Sequence, residues 1–160
     1  MKDTRINLTA TQMYLAAQIA TIRRIRAIQG RRKAAHGLSE ESKLAWQKDI
    51  DGAMGECAVA VYFDKFWDGG GFWPEPGDVG NIEIRTTSLP RNRLILYPED
   101  ADDSRFISVI GMNGQYTLRG WIFAREGKID EFWKAPAGRF AWWVDNDILR
   151  PMSEFQGRKE

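Results

Sequence analysis

Gly77-Asp78-Val79-Gly80-Asn81-Ile82-Glu83-Ile84-Arg85-Thr86-Thr87 reads as a glycine-flanked turn that runs directly into a short strand. Side chains on a strand alternate between faces, so Glu83, Arg85 and Thr87 share one face and Ile82, Ile84 and Thr86 take the other. One face therefore suits a hydrophobic core, while the other places an acid beside a permanent cation. Asp78 sits at the bend, where the backbone can turn it toward Glu83. Upstream, between residues 53 and 63, Glu56 is the only charged side chain. A helix apolar almost all round is buried on more than one side, and a lone carboxylate in it must be paired, protonated, metal-bound or at the rim of a cleft.

Working outward toward the N-terminus, residues 48–66 read as the helix that carries Glu56, with Ile50, Ala53, Met54, Cys57, Ala58 and Val61 as its apolar stripe. Gly52 and Gly55 weaken it intrinsically, which predicts close approach of another backbone or of a ligand. An earlier helix is predicted over residues 10–29. Thr9 and Gln12 have capping-box spacing, Leu15, Ile19, Ile22 and Ile25 follow as the apolar face, and Gly30 stops it. Arg23, Arg24, Arg26, Arg31, Arg32 and Lys33 put six basic residues within eleven on this helix and its exit. They are candidate phosphate contacts, against the plainer reading of a solvated face.

Toward the C-terminus, strands are predicted over residues 81–87, 93–97, 106–112, 115–124 and 141–144, with Asn113-Gly114 as a two-residue hairpin turn. The acidic stretch Pro98-Glu99-Asp100-Ala101-Asp102-Asp103 lacks the glycine and terminal glutamate of a calcium-binding loop and reads as a solvated connector. Helices first and strands after give an α+β, or mixed α/β, single domain. N-terminal helices pack on a mixed, largely antiparallel central sheet over residues 1–152, and residues 153–160 form a tail.

The chain has 160 residues, of which 43% are hydrophobic, enough for one sizeable core. No apolar run is long enough to span a bilayer, and no secretory leader is legible. A single cysteine fits a reducing cytoplasm, and Cys57 among alanines and valine reads as a small buried hydrophobe. The single histidine, His36, excludes a two-histidine zinc site. The net charge of +1 conceals an asymmetry. Residues 1–48 hold ten Lys/Arg against three Asp/Glu, and the remainder is acidic, which suits a polyanion-facing surface near a carboxylate-rich site.

Asp78, Glu83 and Glu56 are hard oxygen donors of the kind that hold Mg²⁺ or Mn²⁺ together with waters and phosphate oxygens. Glu on a helix, then Asp, a short gap and an acid-x-base strand is the motif of the PD-(D/E)XK nuclease superfamily. The chain resembles it through Gly55-Glu56, Asp78 and Glu83-Ile84-Arg85. More narrowly, residues 52–58, Asp78-Val79-Gly80, residues 82–87 and Gly120-Trp121-Ile122 resemble a group of small phage and prophage proteins. The resemblance covers residues 12–152. It implies a restriction-endonuclease-like core, a divalent metal (Mg²⁺ or Mn²⁺), hydrolysis of DNA phosphodiester bonds, and residence in the host cytoplasm. Glu56, Asp78 and Glu83 would ligate the metal, and Arg85 would clamp phosphate as the fourth catalytic residue. Arg23, Arg24, Arg26, Arg31, Arg32 and Lys33 would track DNA, single-stranded and branched forms included, and Trp67 or Trp73 would stack on an unpaired base. The superfamily's strand usually carries lysine where this chain has Arg85. Arginine is never a general base, which leaves a metal-activated water, or a scaffold that binds DNA or a host protein without cutting.

Overall fold

The structure, a computed structural model, describes residues 4–30, 44–69, 77–136 and 138–156. Its centre is a four-stranded sheet in the order β1 (Thr4–Asn7), β5 (Gln115–Phe123), β4 (Arg105–Met112), β2 (Ile82–Thr87). β2 runs parallel to β4 and the other pairings are antiparallel, so the sheet is mixed and largely antiparallel, as expected. A second sheet of three antiparallel strands, β3 (Leu94–Leu96), β7 (Ala141–Val144) and β6 (Trp133–Lys134), lies against part of it.

Two cores follow from strand alternation. Ile84 on β2 pairs with Ile107 on β4, and both face the helices α1 (Ala10–Gln29) and α2 (Ala45–Tyr62). Phe106, one residue earlier, points the other way and packs with Leu94, Leu96 and Val144 of the small sheet. The unbroken burial of Phe106 to Val109 on β4, Ser108 included, is that of a strand covered on both faces. A bulge where the register shifts between Ser108 and Val109 changes the phase of β5. It puts Leu118 and Trp121, an odd number of residues apart, into the same helix-side core. Asn113 and Gly114 both have positive φ, which is what a two-residue hairpin turn needs to match strand twist.

The capping box at Thr9 and Gln12 is present and α1 spans residues 10–29 as predicted, but it buries a different face. Ala16, Ala20 and Arg24, spaced by four, turn inward, whereas Leu15, Ile22 and Ile25 are exposed. Small side chains let α1 approach the alanine-rich α2 closely, and that contact outweighs the larger aliphatic stripe. α2 starts three residues before the predicted helix and stops at Tyr62, not at residue 66. Asp64 adopts the left-handed conformation there, and the Lys65 N–H reaches back to the Ala60 carbonyl, closing the helix without glycine. β1 and β6, four and two residues long, carried too little pattern to be anticipated. Residues beyond 152 are not simply a tail. Phe155 packs on the helix-side core with Phe63 and Trp121 at ring distances of 4.9 and 5.1 Å. Among the described residues no helix is long and apolar enough to cross a membrane.

Candidate active site

The local packing of α2 on β2 begins at Gly55. A Cβ there would overlap the side chain of Thr86, so only glycine permits this approach. Gly52, in contrast, faces open space, and its predicted close contact is absent among the described residues. With α2 pressed onto the strand, Glu56 lies in the buried stretch of the helix at 7% exposure. It is paired. Arg23 on α1 donates from Nη1 to Oε1 at 2.8 Å and from Nη2 to Oε2 at 2.7 Å, and Nη2 also donates to the Gly69 carbonyl.

Asp78 is held by the turn that the glycines predicted. Gly77 and Gly80 have positive φ, and the Asp78 N–H bonds to the Ile82 carbonyl at 2.9 Å. Its carboxylate Oδ2 accepts the Ile84 N–H at 2.7 Å. Because β2 is the edge strand, that N–H has no partner strand on its side, so Asp78 also caps the sheet edge.

Glu83 and Arg85 leave β2 on the face opposite Ile82 and Ile84, as the alternation required. The Arg85 guanidinium lies 4.8 Å over the Phe106 ring and 5.9 Å from that of Tyr97. Its Nη2 donates to Asp100 Oδ1 at 2.9 Å, while Asp100 Oδ2 accepts the Tyr97 N–H at 2.8 Å. Asp100 is thus a largely buried partner of Arg85 and not a residue of a solvated connector. Composition concealed it, because it sits in a run of acids of which Asp102 and Asp103 do project outward to Lys128 and Arg125.

Asp78 links these groups electrostatically, acting on both Glu56 and Glu83. Burial pushes Glu56 up to about 7; the Asp78 charge adds to the rise, and Arg23 opposes it. The indole N–H of Trp67 lies beside the same carboxylate without hydrogen-bond geometry, and its ring packs on the core instead of standing out as a platform. Asp78 is also raised, by burial first, with its bond from Ile84 and the charges of Arg85 and Arg23 pulling the other way. Glu83 is raised by burial and then by Asp78. Burial likewise pushes the Cys57 thiol up to about 11, consistent with an inert core residue.

The three predicted carboxylates are therefore neighbours in charge but not a finished chelate. Among the described residues, no three His, Cys, Asp or Glu side chains come together as a metal-holding group. The donors nonetheless fit a hard divalent cation, which takes one or two carboxylates and fills its remaining positions with water and phosphate. Asp78 and Glu83 are donors of the type such an ion takes, although Asp78 Oδ2 already accepts the Ile84 N–H and both Glu56 oxygens are engaged by Arg23.

The basic cluster divides. Arg24 is 6% exposed with Nε 2.6 Å from Asp49 and so turns away from solvent, whereas Arg23, paired with Glu56, keeps 26% of its side chain exposed. Arg24 lies one helical repeat beyond Ala16 and Ala20, which is why it turns inward. Arg26 is exposed. Arg31, Arg32, Lys33, His36 and Trp73 lie outside the described residues. Comparison with protein-family models, curated proteins and solved structures gave no match.

Proposed function

We propose that the chain is a divalent-metal-dependent deoxyribonuclease with a restriction-endonuclease-like core of the PD-(D/E)XK kind. One observation carries the reading. A buried helix carboxylate, Glu56, is electrostatically joined to Asp78 at the entrance of β2, and Asp78 in turn to Glu83 and Arg85. Burial-raised carboxylates gathered beside a cation are a common mark of a functional cleft. A bound Mg²⁺ or Mn²⁺ would supply a nucleophilic water and polarise the phosphodiester. Asp78 and Glu83 would hold the ion, and Glu56 would ligate it or orient a water. Arg85 would clamp a phosphate oxygen and offset charge developing in the transition state. Its placement suits that role, since Phe106 and Asp100 position the guanidinium. The phage or prophage setting rests on the resemblance alone.

A second reading has its own observation in favour. Glu56 and Arg85 are both already engaged in ion pairs, which suits a scaffold that binds DNA or a host protein without cutting it. Incubation with plasmid and single-stranded DNA in Mg²⁺ or Mn²⁺ separates the two. We expect cleavage by the wild type and losses on the order of 10²–10³-fold in Asp78→Ala and Glu83→Ala. A folded wild type that cuts no form of DNA with either ion would overturn the enzyme. Gel shifts across a salt series would then measure binding through phosphate contacts.

A further inference from the structure

The Arg23–Glu56 pair has a geometry that bears on how this site is regulated. The guanidinium fork engages both carboxylate oxygens at once, Nη1 on Oε1 and Nη2 on Oε2. A monodentate pair would leave one oxygen free of the arginine; this one takes a lone pair on each. The Asp78 charge acts on Arg23 as well, so the guanidinium offsets negative charge from both carboxylates. The two partners also differ in access. The Arg23 side chain is 26% exposed and that of Glu56 10%, so the cation is the member with a route outward. Its anchor on the α1 face is independent of β2, whereas Glu56 is fixed by the close α2–β2 contact at Gly55.

We propose that Arg23 is a resident surrogate cation that keeps the site closed, and that a divalent ion is chelated by both Glu56 oxygens only by displacing it. The proposal rests on reading these carboxylates as a metal site and adds how that site is controlled. The fork takes one lone pair on each oxygen, on the side from which an ion would be chelated, so bidentate metal binding and the Arg23–Glu56 pair compete for the same positions and the same negative charge. Removing the arginine therefore strengthens metal binding, and the ion in turn releases Arg23 toward solvent or an arriving phosphate.

The experiment is a Mn²⁺ titration of the whole chain by calorimetry, without nucleic acid, paired with the rise in Tm that Mn²⁺ produces. Arg23→Gln should bind Mn²⁺ about tenfold more tightly than the wild type and show the larger Tm rise. Arg23→Lys, which keeps the charge but not the fork, should fall between them and serves as the test if Arg23→Gln does not fold. Equal or weaker affinity in the folded variant overturns the lock while leaving a metal site in place. No Mn²⁺ binding to the wild type or to any folded variant removes both the lock and the metal-site reading.

Discussion

Glu56 holds a negative charge in a helix segment that offers it no other charged neighbour, and its pairing with Arg23 does not fully offset the burial. Its folded pKa of about 7 exceeds the ordinary 4.5, so between those values the folded protein binds a proton that the unfolded chain does not. The stability this contributes is complete below the unfolded value and is lost as the pH rises through 7. Asp78 and Glu83 are shifted in the same direction and reinforce the trend. In metal-free buffer at constant ionic strength, Tm should fall between pH 5 and pH 8, and Glu56→Gln should reduce the fall. Equal slopes in the two proteins would show that Glu56 is not its source. At this scale the sequence was informative about identity and poor about partners. Nothing local marks Arg23 as the counter-ion of a residue 33 positions away, nor Asp100 as the partner of Arg85.

At the scale of elements, the decisive contact is α2 on β2. Gly55→Ala would drive a methyl into Thr86, and overpacking of this kind costs about 1–3 kcal/mol. Thr86 Oγ1 is buried without a hydrogen-bond partner, so its removal sacrifices little. Gly55→Ala should therefore be destabilising alone and substantially rescued by Thr86→Ala, measured as a double-mutant cycle in urea. Additive losses would mean that the clash is relieved elsewhere. The same packing bears on what could be read in advance. The capping box, the Asn113-Gly114 turn and the main strands depend on neighbours in sequence, and they were legible. The buried face of α1 was not, because an alanine stripe wins only when a partner helix offers matching small residues.

For the whole molecule, the last described residues tie the chain back to the sheet and the end of α2. Trp121 and Arg150 exchange backbone hydrogen bonds at 2.9 Å, and Phe155 then inserts between Phe63 and Trp121. Phe155→Ala should cost about 2 kcal/mol, read as a lower denaturation midpoint with an unchanged m-value. A neutral result would return these residues to the status of a dispensable tail. The amino-acid sequence by itself determined the types of the main elements, the alternation that sends Ile84 into the helix-side core and Arg85 to the opposite face of β2, and the set of acids from which a site could be built. Those follow from backbone periodicity and local turn chemistry. Only the tertiary structure decided that Arg24 is internal, that Asp100 holds Arg85, and that Arg23 closes on Glu56. Charge pairing acts through space, and the distances that set it exist only once helices and sheet are packed.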